Sequence, residues 1–230
     1  MNRWRETDKI FRTLFSEILC PCGFVFKKKA FYRIPANNLL LIISTVKRYP
    51  YYEVTFDAIP FAHGYTGGPE WRGIGIDWFM ANRARRIGTT YERSTQDSYE
   101  MSLKRMQSAL SSVILPEMNK ICSLETFLAY ESWFSNSVGL WPESVFDAGL
   151  YLQYGDYPGA YNCIQKCLKR AEERSICSAS AKGAIEPISG HELWKNIADK
   201  IETARYSEVD AITQKRCETT RKTCEHLGIL

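Results

Sequence analysis

The side chain best suited to acid–base chemistry is His63, which lies in a stretch rich in glycine and proline, residues 60–75. An imidazole exchanges protons near neutral pH, and carboxylates close to it can orient it for general acid–base catalysis. Glu53, Asp57 and Asp77 lie on predicted strands that flank this stretch, an arrangement that would suit a hydrolase. The alternative is a loop histidine that hydrogen-bonds to backbone. The sequence favours that second interpretation, so no catalytic residue is assigned.

The eight cysteines indicate structural thiols rather than a metal centre. They are Cys20, Cys22, Cys122, Cys163, Cys167, Cys177, Cys217 and Cys224. Their spacing contains no pair of CxxC knuckles and the three histidines are scattered, so no zinc site is predicted. Gly73 and Gly75 lack the third glycine of a dinucleotide-binding loop and the following lysine of a phosphate-binding loop. We therefore expect neither a metal nor another cofactor.

Positive charge is concentrated at the start of the chain. Residues 1–50 contain ten lysines and arginines against three acids, a net charge of +7, whereas the whole chain carries +4. Such a bias attracts nucleic acid or an acidic protein surface, although a lysine-rich sheet edge also prevents unwanted strand pairing. The candidate partner-binding residues combine this basic edge with side chains of the 60–75 stretch. They are Lys27, Lys29, Arg33, Lys47, Arg48, His63, Tyr65 and Trp71.

The aromatic residues beside the lysines favour a protein partner over nucleic acid. If residues 24–34 form one strand, alternation sends Lys27 and Lys29 to one face and Phe24 and Phe26 to the other. Rings on that second face are better used in a core than for stacking on bases. The sequence therefore favours binding to a protein, with nucleic-acid binding as the alternative.

A sheet must position these residues, and the first half of the chain predicts one. An amphipathic helix capped near Thr7 precedes three strands in an antiparallel meander, or four if a last short strand returns to the sheet. The strands are predicted at 24–34, 39–46, 52–59 and 76–79, with a turn at 35–38. A second helix, with apolar residues alternately four and three apart, is expected from about Ser94 or Thr95 to just before Pro116.

The second half of the chain predicts helices only. They begin near Ser123 and include a helical hairpin around Gly155, and residues 175–190 are typical of a linker. Two further helices follow, the last of them frayed or exposed. The fold class is therefore α+β, an antiparallel sheet of three or four strands packed by helices and followed by an all-helical C-terminal region. Domains are predicted at 1–118 and 119–230, either separate or sharing one core.

Two segments carry a resemblance to a known family. Gly23–Arg33 (GFVFKKKAFYR) and Leu115–Glu125 (LPEMNKICSLE), together with the N-terminal helix, resemble the bacterial domain-of-unknown-function family numbered 4304, over about residues 8–130. That resemblance implies an order of elements and no established chemistry, and proteins of this kind have been suggested as immunity partners of secreted bacterial toxins. The hairpin at 143–174 is similar to a single tetratricopeptide unit, which cannot form a solenoid alone.

The function expected from the sequence is non-catalytic. The longest apolar runs, such as Leu39–Ile43, are too short to cross a bilayer, and the mixed N-terminus does not indicate a secretory signal. We therefore expect a cytoplasmic protein with no membrane partner that binds a protein with an acidic surface, immunity to a toxin being one form of this role. The alternatives are a nucleic-acid binder using the basic N-terminal edge and a hydrolase with a site near His63.

Overall fold

The computed structural model describes the backbone of residues 3–36, 38–48, 51–67, 74–75, 101, 104, 107–108, 110–120, 126, 145–179 and 191–230. Its contacts divide the chain into two compact units. The sheet unit contains Met1–Ile59, Gly67–Phe127 and Thr223–Leu230, and the helical unit contains Pro60–Thr66 and Leu128–Lys222. The sequence predicted one division near residue 118. The contacts group a short segment of the first half with the helices, and the C-terminal residues with the sheet.

The sheet unit contains an antiparallel sheet whose described strands follow one another in chain order. They are β1 Val25–Lys27, β2 Ala30–Ala36, β3 Leu39–Arg48, β4 Tyr51–Pro60 and β5 Ile74–Gly75. In the central strand, every residue of Leu39–Ile43 is at most 4% exposed. A continuous apolar run suits a strand that is covered on both faces, and this explains why β3 lies in the middle. The predicted α+β class and antiparallel sheet are confirmed.

The first helix, α1 Arg3–Leu19, packs on this sheet through aromatic side chains. Phe11, Phe15 and Leu19 recur every four residues and are buried, and the Phe11 ring lies 5.5 Å from the ring of Phe31 in β2. The helix begins before the predicted cap at Thr7. It ends in a 3-10 turn (Cys20–Cys22) followed by Gly23 at φ 83°, a left-handed conformation that glycine adopts without strain.

Several sequence predictions for this unit need correction. Residues 24–34 form a hairpin, β1 and β2, rather than one strand. Pro35 lies within β2, at a shift in register between Arg33 and Ala36, where the missing N–H of proline is tolerated. The second helix does not end before Pro116: a π-helical turn (Leu110–Ile114) leads into α2 (Leu115–Met118), where proline occupies the first turn. The predicted strand at 76–79 lies outside the described residues.

The helical unit contains four helices among the residues described. They are α3 Val145–Gln153, α4 Tyr157–Ala179, α5 His191–Glu202 and α6 Tyr206–Leu227, of which the last turn belongs to the sheet unit. Their apolar faces form one cluster that includes Leu152, Ile164, Trp194, Ile197 and Val209. Gly155 at φ 69° reverses the chain between α3 and α4, at the predicted elbow. The all-helical C-terminal region is thus confirmed.

Two predictions for the helical unit are wrong in detail. The expected linker at 175–190 begins too early, because α4 continues to Ala179; its remainder and the expected cap at Ser123 lie outside the described residues. The last helix is continuous from Tyr206 to Leu227 and buries Val209 and Cys224 completely, so it is not frayed.

Each helix in the described part of the chain is either too short or too polar to span a lipid bilayer.

Candidate functional site

Lys28 and Lys29 form the turn at the tip of the β1–β2 hairpin. The strand register pairs Lys27 with Ala30, which leaves these two residues as the connection. Their φ angles are 41° and 77°, so both adopt left-handed backbone. A two-residue hairpin turn with two positive φ angles is best made by Asn-Gly, and lysine is strained at either position. We call Lys27, Lys28 and Lys29, all three exposed, the lysine turn.

The immediate surroundings of the lysine turn are aromatic and basic. The Arg12 guanidinium of α1 lies 5.1 Å from the ring centroid of Phe26, which is itself 4.8 Å from the Phe31 ring. The Lys27 ammonium lies beside Gly228, at the end of α6, since a Cβ added to that glycine would be 3.2 Å from Nζ. A cation at a helix C-terminus is favourable, so Lys27 has a structural role as well. Lys28 has no such contact among the described residues.

Arg33 is part of the packing of the sheet unit. Its Nη1 donates to the Cys22 carbonyl at 3.1 Å and to Asn119 Oδ1 at 2.8 Å, and its guanidinium lies 4.9 Å from the Phe24 ring centroid. Burial lowers the pKa of this arginine from its ordinary value, although it stays charged at neutral pH. Its Nη1 is therefore committed within the fold, whereas its buried Nε has no hydrogen-bond partner among the described residues.

The other predicted site residues either have side chains outside the described part of the chain or belong to the helical unit. Lys47 and Arg48 end β3, and their side chains lie outside the described part of the chain. Trp71 also lies outside it. Tyr65 is only 2% exposed, which removes it from the side chains that a partner could reach. His63 is half-buried and belongs to the helical unit.

His63 ends a short 3-10 turn (Phe61–His63) that is followed by Gly64 at φ 77°. Residues of α3 and α6 hold this turn through its backbone. Gln153 Oε1 accepts the Ala62 N–H at 3.0 Å. Arg216 Nε donates to the Ala62 carbonyl at 2.6 Å, and its Nη2 donates to the His63 carbonyl. Sequence reasoning missed these contacts, because the partners lie about 90 and 154 residues from the turn.

The predicted acid–base group around His63 stays a prediction. Glu53 and Asp57 lie on β4, and their side chains, like the whole of Asp77, are outside what the structure describes. Burial, rather than a neighbouring charge, is the main influence on the pKa of the Arg216 guanidinium, and it lowers that pKa from its ordinary value. The contacts that the structure describes at this turn are those of a packed, hydrogen-bonded connection.

Six of the eight cysteine thiols are described, and they differ in exposure. Cys163, Cys167 and Cys224 are buried, and burial raises the pKa of the Cys224 thiol to about 11, which makes it a poor nucleophile. Cys20 is exposed, so the prediction of a packing residue is wrong there: it lies in the 3-10 turn just beyond the buried Leu19. No group of three or more potential metal ligands occurs among the described histidines, cysteines and acids.

A second surface that sequence reasoning missed lies in the helical unit. Tyr157 and Tyr206, the first residues of α4 and α6, stack with ring centroids 4.4 Å apart and an interplanar angle of 16°. The Tyr157 hydroxyl donates to Asp210 Oδ1 at 2.8 Å. The two tyrosines are 49 positions apart, and helical periodicity does not indicate which helix ends meet.

Comparison with known proteins returns no relative: no family model matches the chain, and no curated protein or solved structure is significantly similar to it.

Proposed function

We propose that this protein binds an acidic partner protein through the lysine turn and catalyses no reaction. The observation that carries the proposal is the exposure of three successive lysines, two of them in left-handed backbone. Non-glycine residues in such conformations cost on the order of 1 kcal/mol each and are common where a backbone shape serves function. Lys28 forms no ion pair within the described part of the chain, so its charge is available to a partner.

Protection of a sheet edge is the competing explanation for these lysines. β1 is an edge strand and has only three residues, and a lysine on such a strand discourages pairing with another chain. That explanation fits Lys27, which lies in the strand. It does not account for Lys28 and Lys29, because both lie in the turn and not along the strand edge. We therefore assign these two lysines to recognition.

Nucleic-acid binding is less well supported than protein binding. Stacking on single-stranded bases needs exposed rings beside the positive charge. Phe24, Phe31 and Tyr32 are between 0% and 4% exposed, and Phe26, the remaining ring of the β1–β2 hairpin, is half-buried. A nucleic acid would therefore contact this surface mainly through phosphates, without the stacking that usually accompanies such binding.

Immunity to a secreted toxin is one form that this function could take. It rests on the acidic partner that the lysine turn would select and on the likeness of the Gly23–Arg33 segment alone to the bacterial family named above, since no family model matches the chain. Within this proposal the protein acts in the cytoplasm, and a toxin with an acidic surface is the partner class to look for first. A hydrolase near His63 remains the second candidate, and it would need the carboxylates of Glu53, Asp57 or Asp77 within reach of the imidazole.

The test is a capture experiment with matched charge changes. Tagged wild-type protein, a Lys28→Glu/Lys29→Glu variant and a Lys195→Glu/Lys215→Glu control are each incubated with lysate of the source organism, once untreated and once treated with nuclease. All four lysines are exposed, and both variants change the net charge by the same amount. Lys27 is kept, so its contact at the end of α6 is not disturbed. Captured proteins are quantified by mass spectrometry.

We expect a stoichiometric acidic protein that is captured by the wild type and by the control but lost with the lysine-turn variant. A partner that both variants retain would refute the role of the lysine turn. A captured species that disappears after nuclease treatment would establish nucleic acid as the ligand instead. Circular dichroism of each variant checks that loss of capture is not loss of folding.

A further inference from the structure

We propose that the helical unit carries a second, independent docking surface, a face of exposed tyrosines and carboxylates that binds an arginine-rich segment of a partner protein. We call Tyr154, Tyr157, Tyr206, Asp156 and Asp210 the tyrosine face. Its members come from the end of α3 and from the starts of α4 and α6. The required ligand charge is opposite to that of the lysine turn, so the two surfaces select different partners.

Two of the three rings of the tyrosine face are exposed, and the third, Tyr157, is half-buried. Tyr206 is 42% exposed and Tyr154 is 44% exposed, which is unusual for large rings on a protein surface. Tyr206 is held in place by its stacking on Tyr157 at 4.4 Å. Tyrosine is enriched among the residues that dominate binding energy at protein interfaces, because a rigid ring loses little entropy on binding. A ring already fixed by stacking has even less entropy to lose.

The charges around the rings select a cation. Asp210 uses Oδ1 to accept the Tyr157 hydroxyl, and Asp156 uses Oδ1 to accept the Gly159 N–H at 2.9 Å. Both carboxylates are exposed, and neither forms an ion pair with another described residue.

The nearby basic residues are engaged elsewhere. Lys200 pairs with Glu208, and Arg205 Nη1 lies 3.7 Å from the same carboxylate. Arg205 Nε also donates to Thr203 Oγ1 at 2.9 Å. Asp210, bonded to Tyr157, therefore lies at the stacked pair of tyrosines without an ion pair to another described residue, and Asp156 adjoins Tyr157 in the chain.

Arginine is the cation that can contact both the exposed ring and a carboxylate. A guanidinium can lie over the Tyr206 ring and donate to a carboxylate at the same time, whereas an ammonium offers only a point charge. The competing explanation is structural: the Tyr157 and Tyr206 pair would only join the starts of α4 and α6. If the pair had only that role, removing the Tyr206 ring would lower thermal stability and would not change the affinity for any ligand.

The probe is a fluorescein-labelled peptide of alternating arginine and glycine, titrated with the full chain at low ionic strength and followed by fluorescence anisotropy. We expect saturable binding. Both Tyr206→Ala and Asp210→Asn should weaken it about two- to fivefold, the scale of one exposed cation–π contact or ion pair. Glu218→Gln is the matched control, because Glu218 is an exposed acid on the same helix, eight residues further on. A lysine–glycine peptide of equal charge should bind more weakly.

Asp210→Asn keeps both rings, so it separates recognition from stability if Tyr206→Ala unfolds the protein. Equal affinity of wild type and Asp210→Asn would overturn the proposal, as would an equal loss with Glu218→Gln, which would indicate attraction to overall charge. A second copy of this chain, docking its lysine turn on the tyrosine face, is the other possible occupant, and sedimentation velocity tests it. Self-association that Lys28→Glu/Lys29→Glu abolishes would identify that second copy and refute an arginine-rich partner. Unchanged peptide binding by that variant would confirm that the two surfaces act separately.

Discussion

The guanidinium of Arg216 lies over the ring of Trp194, with 5.0 Å between its central carbon and the ring centroid. The same group donates to the carbonyls of Ala62 and His63, at the end of a 3-10 turn. Trp194 is only 2% exposed and belongs to the core of the helical unit. One cation thus fixes a connecting segment against a helical core, although it comes from the far end of the chain.

Replacing Arg216 should destabilise the helical unit. Arg216→Met removes two charge-assisted hydrogen bonds to backbone carbonyls, and we expect the free energy of unfolding to fall by about 3 kcal/mol. Arg216→Lys should lose less, because an ammonium can still reach one carbonyl. Arg221→Lys, an exposed change on the same helix, should stay within about 0.5 kcal/mol of wild type in urea denaturation. Equal midpoints for Arg216→Met and Arg221→Lys would contradict this role.

Thr220 makes a second attachment for the same segment. Its hydroxyl accepts the Tyr65 N–H at 2.8 Å and donates to the Phe61 carbonyl at 2.8 Å, and the residue is completely buried. Thr220→Val leaves both backbone groups without this partner, so we expect a loss of about 2 to 4 kcal/mol in chemical denaturation. Thr220→Ser keeps the hydroxyl and removes one methyl group, and it should lose only about 1 kcal/mol. A larger loss for serine than for valine would indicate that packing dominates.

The sequence predicts elements better than it predicts the sites. The apolar run Leu39–Ile43 indicates a buried strand, and the glycine at 155 indicates a helical elbow, because each signal is local. The lysine turn is different: nothing in two successive lysines indicates positive φ, and the alternation expected of one continuous strand therefore fails at this turn. The attachment of Arg216 to His63 depends on a contact between residues 153 positions apart, which local patterns do not encode.

Relaxing the lysine turn should separate stability from recognition. Lys28→Asn/Lys29→Gly installs the pair that a turn with two positive φ angles prefers, so we expect the free energy of unfolding to rise by about 1 kcal/mol. The same variant removes two positive charges and should bind the acidic partner more weakly. Lys28→Ala/Lys29→Ala removes the charges without relieving both backbone strains, and it should bind weakly without the gain in stability. Equal stability of the two variants would show that the turn is not strained.

The Cys224 thiol should make stability fall at alkaline pH. Burial raises its pKa from about 9 to about 11, so above pH 9 the unfolded chain releases a proton that the folded chain keeps. Unfolding then becomes easier as pH rises between these values, by up to about 1.4 kcal/mol per pH unit. Cys224→Ala should flatten this part of the pH profile in urea denaturation, while Cys20→Ala should retain it. Identical slopes for the two variants would refute the assignment.

Tyr157 should titrate at lower pH when Asp210 loses its charge. The hydrogen bond to Asp210 is the largest cause that raises the Tyr157 pKa, with burial and the neighbouring charge adding to it. Asparagine can still accept this hydrogen bond but carries no charge, so Asp210→Asn should lower the pKa toward its ordinary value without moving the ring. NMR of tyrosine-labelled protein measures this, with Tyr157→Phe identifying the signal.

A bound guanidinium should have the same effect in the wild type, because it would compete with the phenol for the Asp210 carboxylate and favour the phenolate. The arginine–glycine peptide should therefore lower the Tyr157 pKa in wild-type protein and leave it nearly unchanged in Asp210→Asn. If the peptide left the Tyr157 pKa unchanged in both proteins, the cation would bind away from Asp210. The selectivity of the tyrosine face could then not depend on the charge of Asp210.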